Sequence, residues 1–568
     1  MAKIRLDQEK NRFIVEPQGA EDMIKLMALP ARRWMKRARS FVVPITRTNC
    51  ALMLNLPLDD LKIAEYIRNR SVTKVGERPF PSWYQYKTDP FTDQKAAVLK
   101  CYRSPHWALY MRMGTGKSKA AIDMATAAFL EGQIDSVVVI SKLSLRGVWT
   151  AANSSGQLTQ HSPIPVLKVL VDSNFAAAEI PAYKDRLTWL HVGIESLSQG
   201  YSFDRLLPFV QTHRCAVIVD EAQDIANLDT IRTGRIIELG VHAKMRGIMT
   251  GTPITKNLVN LHPHFQFLNP DIIGIGDTYA FKKRYCVMGG YKQKEIVGYS
   301  HVDELMGLVE PYVYICDKPK GLPAQLFKPR YVQLSREQRE MYRKLRRGEI
   351  AQVSVANVLN LVGKCQEIVG GFLRADPLRT EDPLTGREHV MQGPIIWELD
   401  PRQNPKLQEI DAILEETGGS EQLLIWAKYR WEIDQIVKCL KRHGRRVGEM
   451  HGGVKEADRE TAKEAFQAGN LDDMVATQQV GGAGHTLVAS HLAIFYSNTR
   501  SIVDRLQAED RIHRHGQTEN CLYVDLFAER TVDTAIQNSI QDKKDLDEYV
   551  RTQLKNASKT LDQLLGEG

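Results

Sequence analysis

The chain has 568 residues, 43% hydrophobic and 25% charged, too long for one core and enough for several domains of ordinary size. No apolar run approaches the roughly 18 residues that cross a bilayer, and Met1 to Arg12 is too polar for a secretory signal, so the composition points away from a membrane protein. The net charge of +8 is uneven: residues 1–87 carry 17 Lys+Arg against 9 Asp+Glu, and the remainder balances at 59 against 59, which suggests a polyanion contacted first through the leading segment. Eight cysteines, at 50, 101, 215, 286, 316, 365, 439 and 521, lie singly, with no C-x-x-C pair and no histidine at zinc spacing. A reduced, intracellular protein without structural zinc is expected.

In chain order, the leader (1–82) reads as a small α+β module whose Arg32, Arg33, Lys36, Arg37 and Arg39 form a basic cluster suited to phosphates or a strand junction. The bland alternative is a solvated basic face. From about Thr88 to Pro270, short Val/Ile/Leu runs alternate with helical stretches, the pattern of a parallel sheet covered on both faces. Val137 to Ile140, Cys215 to Val219 and Arg246 to Met249 are its buried strands, each ending in a polar cluster. A charged helix is expected around Ser335 to Arg347, and turn signals between Arg374 and Asp400 mark a loop or hairpin insertion. A second α/β unit follows in Leu423 to Trp426, Asp473 to Thr477, Ala493 to Tyr496 and Leu522 to Phe527, and the last twenty residues form a helical tail. The expected fold class is α/β, with two parallel-sheet lobes and an interlobe cleft. The expected domains are 1–82, 83–318, 319–545 with the insertion near 374–400, and 546–568.

Three groups of residues carry chemistry. Gly114-Thr115-Gly116-Lys117-Ser118, between an apolar run and a helix-prone stretch, is a phosphate-binding turn: backbone N–H groups converge on phosphate, Lys117 reaches the terminal phosphates, and Ser118 holds Mg²⁺. Asp220 and Glu221 follow a buried strand about 100 residues later. There Asp220 would hold Mg²⁺ through its water shell and Glu221 would deprotonate the attacking water. Gln507, Arg511 and Arg514 follow i, i+4, i+7 spacing and are expected on one helix stripe, with two guanidinium groups able to meet phosphate oxygens in pairs.

Gln507 to Gln517 (QAEDRIHRHGQ) closely resembles the sixth signature of Swi/Snf-type ATP-driven DNA translocases of the superfamily-two helicases. Other segments resemble that family's signatures in its order. Pro90 to Gln94 is similar to the adenine-reading Q motif, and Val137 to Trp149 to the motif after the first strand pair. Thr250-Gly251-Thr252-Pro253-Ile254, with Asn257-Leu258 and Phe267 to Pro270, resembles the third motif and its continuation; Gly481-Gly482-Ala483-Gly484 resembles the fifth. The likeness runs from about Phe91 to Lys543. It implies two RecA-like lobes that bind ATP and Mg²⁺ at their interface and track along DNA. In it Gln94 contacts adenine, Gly114 to Ser118 hold phosphates and metal, Gln507 belongs to the nucleotide site, and Arg511 and Arg514 are arginine fingers. Lys142, Ser144, Thr252 and Thr477, just past strand ends, would grip DNA phosphates without reading bases. Two positions depart from the family pattern: Gln223 stands where histidine is usual, and Thr486, beside His485, stands for the usual asparagine. Both bear on coupling between ATP and DNA.

Phe281 to Cys286, Gly298, Glu304-Leu305 and Lys318 to Pro323 resemble the annealing-helicase branch. Phe13 to Val15, Leu29 to Trp34, Arg39, Phe41 and Pro44-Ile45 resemble the HARP-type module that precedes its motor; charge asymmetry and position together put Arg32, Arg33 and Arg37 against DNA, a localisation signal being the alternative in a eukaryotic host. The expected function is ATP-dependent translocation on duplex or branched DNA, with strand annealing or fork remodelling in repair or recombination. The alternatives are a strand-separating DNA or RNA helicase and, outside enzymes, a nucleotide-switched DNA-binding scaffold. The expected setting is the cytoplasm of a bacterial or phage-infected cell, or the nucleus if the host is eukaryotic.

Overall fold

A computed structural model describes residues 3–7, 12–27, 29, 32–44, 50, 53, 56, 62–64, 67, 79–151, 156–172, 175, 180–317, 321–354, 358–381, 388–481 and 486–565. The chain divides into two compact units, Met1–Asp317 with Asp545–Gly568, and Lys318–Lys544. The first begins with a small antiparallel sheet of β1 (Lys3–Asp7), β2 (Arg12–Glu16), β3 (Arg33–Met35) and β4 (Ser40–Pro44), in the order β1-β2-β4-β3. Alternation along β2 and β4 turns Phe13, Val15, Phe41 and Val43 inward, onto Leu26 of the helix Ala20–Met27.

The main sheet of this unit is built from β5 (His106–Met111), β6 (Ser136–Ser141), β7 (Val166–Leu170), β8 (Leu187–Gly193), β9 (Cys215–Asp220) and β10 (Met245–Met249), with a hairpin of β11 (Cys286–Gly289) and β12 (Glu295–Tyr299) before the final strand, β13 (Val313–Cys316). All seven sheet strands run parallel, in the order β13-β5-β10-β9-β6-β8-β7. β6, β8 and β9 are buried along their whole length, because helices cover both faces. One cover is the alanine-rich helix Lys117–Leu130. Gly247 on β10 stands opposite Trp107 on β5, and a Cβ there would come within 2.2 Å of the indole, so only glycine lets this ring lie across the sheet.

The second unit holds β14 (Gln325–Val332), β15 (Phe372–Arg374), β16 (Leu378–Glu381), β17 (Glu388–Met391), β18 (Ile395–Glu398), β19 (Leu423–Ala427), β20 (Val447–Met450), β21 (Asp473–Thr477), β22 (Leu492–Phe495) and β23 (Cys521–Ala528). Six of these form a parallel sheet, β14-β23-β22-β19-β21-β20; β15 pairs with β18 and β16 with β17, both antiparallel, which resolves the turn-rich insertion as hairpin structure. The last helix, Val532–Leu565, has its residues up to Lys544 in the second unit and those from Asp545 in the first. Among the described residues no helix is long and apolar enough to cross a membrane.

Candidate nucleotide site

In an open parallel sheet, ligands gather outside the carboxyl ends of the strands. At that edge of the first unit, neighbouring β5, β10 and β9 deliver the phosphate turn, Thr250 and Asp220 side by side. Gly114 and Gly116 have φ of 77° and 84°, a region open to glycine, which curls the loop into the start of the helix Lys117–Leu130. Lys117 is buried and folds back over the loop, donating from Nζ to the Met111 carbonyl at 3.0 Å. Thr115 Oγ1 closes the turn on the Arg112 carbonyl at 2.6 Å. Ser118 is half-buried on the first helical turn. Gln94 packs directly on this loop: a Cβ on Gly116 would lie 1.8 Å from its Nε2. Its Oε1 accepts from the Phe91 N–H at 2.9 Å and its Nε2 donates to the Thr115 carbonyl at 3.3 Å. A contact with adenine would exchange these bonds for those of the base.

Asp220 and Glu221 are both buried. Asp220 Oδ2 accepts from the Trp149 indole at 3.1 Å, and Oδ1 accepts from the Glu221 N–H at 3.0 Å. Burial, reinforced by the charge of Glu221 and opposed by Lys117, pushes the Asp220 carboxyl up to about 7. A hard divalent cation would relieve the charge of two adjacent buried carboxylates, so the chemistry of this acidic pair fits Mg²⁺. Glu221 sits at φ 55°, a sparsely populated conformation for a residue with a side chain. Its Oε2 accepts from Gln223 Nε2 at 2.9 Å, Gln223 Oε1 accepts from the Thr250 hydroxyl at 2.6 Å, and Thr250 Oγ1 accepts from the Thr252 N–H at 3.0 Å. A continuous relay thus joins the acidic pair to the loop after β10.

The residues expected against DNA are placed as follows. Lys142, after β6, lies 3.6 Å from Asp224, and Ser144 is exposed on the next turn. Thr252 is buried in the relay; Thr477 ends β21 in the second unit, its hydroxyl buried and without a hydrogen-bond partner among the described residues. Arg32 donates to the Leu29 carbonyl at 2.9 Å, and burial, followed by the nearby Arg284, lowers its pKa. Arg33 and Arg37 are exposed on and after β3, flanking Trp34, whose ring packs on Phe41 at 4.7 Å. Pro30, Ala31, Lys318 to Lys320 and Gly482 to His485 lie outside the described residues.

The helical stripe expected for Gln507, Arg511 and Arg514 is corrected. The helix Ile502–Glu509 ends before the arginines, and only Gln507 is on it. Its carboxyl end is taken by side chains: Arg511 Nε donates to the Gln507 carbonyl at 3.0 Å, and the Tyr523 hydroxyl donates to the Glu509 carbonyl at 2.7 Å. Arg511 is buried and Arg514 half-buried in the turns that follow, with Ile512 between them in the core. The helix itself is anchored by buried Arg505, which bonds Asp525 Oδ2 at 2.8 Å and Glu509 at 2.6 Å and lies over the Phe495 ring at 3.5 Å.

Sequence reasoning missed a second arginine device. Arg551 of the last helix is buried, pairs with Asp547 at 3.0 Å, donates to the Tyr110 carbonyl at 3.0 Å and also donates to the Gly251 carbonyl. Arg112, leading into the phosphate turn, pairs with the same Asp547 at 2.9 Å. No motif announces it, because it joins residues 300 to 441 positions apart. Spacing also hid Asp411, Cys439 and His443, whose ligand atoms lie within 4.8 Å of one another. Cys439 and His443 both bond Asp411 Oδ1, at 3.0 and 2.7 Å, so hydrogen bonds already account for that trio.

Residues 109–370 match the SNF2-related domain and residues 405–516 the helicase conserved C-terminal domain. A human SWI/SNF-related matrix-associated actin-dependent regulator of chromatin, subfamily A member 1, is 26% identical over 60% of this chain and 32% of its own length. A Bacillus subtilis putative ATP-dependent helicase/translocase, YwqA, is 23% identical over 59% of this chain and 35% of its own. The chain therefore spans about a third of the length of these relatives. The Sulfolobus solfataricus SWI2/SNF2 ATPase core in complex with dsDNA superposes with a TM-score of 0.36 at 19% identity, covering 85% of this chain and 98% of that one. The glycine turn and the buried acidic pair thus both lie within the stretch that matches the SNF2-related domain, and the stretch that matches the helicase conserved C-terminal domain follows it in the chain.

Proposed function

We propose that the protein is a DNA translocase driven by ATP, acting on duplex or branched DNA with little sequence preference, in the annealing or fork-remodelling style of the HARP-containing branch. The reading rests on the relay from Glu221 through Gln223 to Thr250 and Thr252. A hydrolase needs only the acidic pair; a motor also needs that pair tied to a surface that grips its track. In the proposed cycle Lys117 and the loop amides bind the triphosphate and Glu221 takes the proton from water; Ser118 and Asp220 would hold Mg²⁺, which would supply neutralising charge. Arg511 and Arg514 are read as arginine fingers. ATP and ADP differ at the γ-phosphate, so that group must supply the differential binding that drives each step.

ATP turnover with and without linear duplex, together with displacement of a third strand from a triplex, tests the reading. Duplex-stimulated hydrolysis with displacement but no unwinding of a tailed duplex is expected. Unwinding from a single-stranded tail would favour a strand-separating helicase, and turnover indifferent to DNA would overturn the motor. Lys117→Ala and Glu221→Gln should abolish turnover. Arg511→Ala or Arg514→Ala should slow it by about a thousandfold if they act as fingers.

A further inference from the structure

The hairpin β11–β12 stands outside the main sheet and has a locked base and an open tip. At the base, Phe281 and Tyr285 are fully buried, Phe281 stacking on His262 at 4.7 Å. The Tyr285 hydroxyl donates to Glu304 at 3.1 Å, the Ser300 N–H to the Tyr285 carbonyl at 3.0 Å and the Ser300 hydroxyl to the Arg284 carbonyl at 2.8 Å. A two-stranded ribbon is marginal alone, so these bonds fix its direction. At the tip, Tyr291 is 77% exposed, and Lys292, Gln293 and Lys294 are exposed around it. Lys292 and Gln293 hold φ of 56° and 55°, a strained turn for two residues with side chains.

Tyr279, on the helix leading into the hairpin, is also 77% exposed, and no large hydrophobic among the described residues is more exposed than this pair. Val287 and Val297 extend the open apolar surface at 45% and 62%. Between Tyr279 and Tyr299 lie Lys282, Lys283, Arg284, Lys292 and Lys294 against one acid, Glu295. Arg284 is paired with Glu304. An exposed ring among lysines suits a ligand that offers a flat face next to negative charge. Nucleic acid does so where a base is unstacked; within a duplex the faces are covered by neighbouring bases.

We propose that the tip of this hairpin is a contact for unpaired DNA, Tyr291 stacking on an exposed base at a branch or gap while Lys292 and Lys294 meet the adjoining phosphates. This rests on the DNA-translocase reading and names the part of the substrate that this surface selects. The test uses the full chain and fluorescence anisotropy without ATP, comparing linear duplex, single strand and a three-way fork. Tyr291→Ala should bind fork and single strand about tenfold more weakly while its duplex affinity stays within about twofold. Tyr291→Phe, which keeps the ring, should restore binding. Lys292→Ala with Lys294→Ala should lower the salt slope for the fork by about one to two. A 2-aminopurine at the fork should be quenched by the wild type and not by Tyr291→Ala. Unchanged fork affinity in Tyr291→Ala, equal loss on all three DNAs, or altered self-association at constant DNA affinity, which would assign the surface to a second copy, would each overturn the proposal. Duplex-stimulated hydrolysis should persist in Tyr291→Ala. Its absence already in the wild type overturns the translocase reading instead, separately from the binding result.

Discussion

At the scale of single residues, Gln223 decides how the acidic pair communicates. The family pattern has histidine here, and the departure raised the prospect of loosened coupling. The amide instead spans the gap, donating to Glu221 and accepting from Thr250. Gln223→Ala leaves Lys117 and Asp220 untouched but breaks both links. The expected outcome is basal hydrolysis within a few-fold of wild type with DNA stimulation largely lost, read by turnover with and without duplex. Histidine can also donate from one ring nitrogen and accept at the other, so Gln223→His should retain stimulation. Loss of stimulation in the histidine variant as complete as in alanine would show that the bridge geometry, and not its hydrogen-bond polarity, matters.

At the scale of elements, the part of the last helix from Asp545 onward is tied to the candidate nucleotide edge of the first unit. Arg551 ties it to the carbonyls of Tyr110 on β5 and Gly251 beside the relay, and shares Asp547 with Arg112. Arg551→Ala leaves Asp547 with Arg112 as its remaining cation and takes one donor from each of the Tyr110 and Gly251 carbonyls in a buried place, a loss of about 1–3 kcal/mol. A melting temperature lowered by several degrees and impaired ATP turnover are expected by calorimetry and phosphate release. Arg551→Lys should rescue little, because an ammonium cannot fork between two carbonyls and a carboxylate. This device was illegible in the sequence, whereas the sheets were plain. Val137 to Ile140, Cys215 to Val219 and Asp473 to Thr477 coincide with strands to within a residue, because strands buried on both faces must be continuous apolar runs. The positions of the glycine turn and the acidic pair were legible for a related reason: each is a local motif at a strand end. The arginine stripe was misread because periodicity carries no information on where a helix stops. Here the helix stops at Glu509, whose carbonyl accepts from the Tyr523 hydroxyl, a tertiary contact that spacing does not show.

At the scale of the whole molecule, charge and burial set how the protein responds to salt and acid. The excess of eight positive charges lies in residues 1–87, so replacing Arg33 and Arg37 with glutamine should weaken binding to all DNAs alike and flatten log affinity against log salt by about one for each phosphate no longer neutralised. An unchanged slope across a salt series would remove the leader from the DNA surface. Acid acts elsewhere. His106, His161, His191 and His264, all in the first unit, are each pushed down to about 4, in every case chiefly by burial. His264 is the most constrained, its ring bonded to the Tyr110 hydroxyl at 3.1 Å and the Ala222 carbonyl at 2.9 Å, which pins the turn carrying Asp220 and Glu221. In the unfolded chain such rings titrate near about 6.5. Between that value and about 4 the unfolded state therefore binds more protons than the native state, so the stability these neutral rings contribute is fully present above pH 6.5 and is lost as pH falls toward 4. Melting temperature measured from pH 7.5 down to 4.5 should fall steadily. His191→Gln, at a ring bonded to the Ser141 hydroxyl at 2.8 Å, should make that fall shallower even if it lowers stability at pH 7.5. A slope unchanged by the substitution would place the acid sensitivity in other groups.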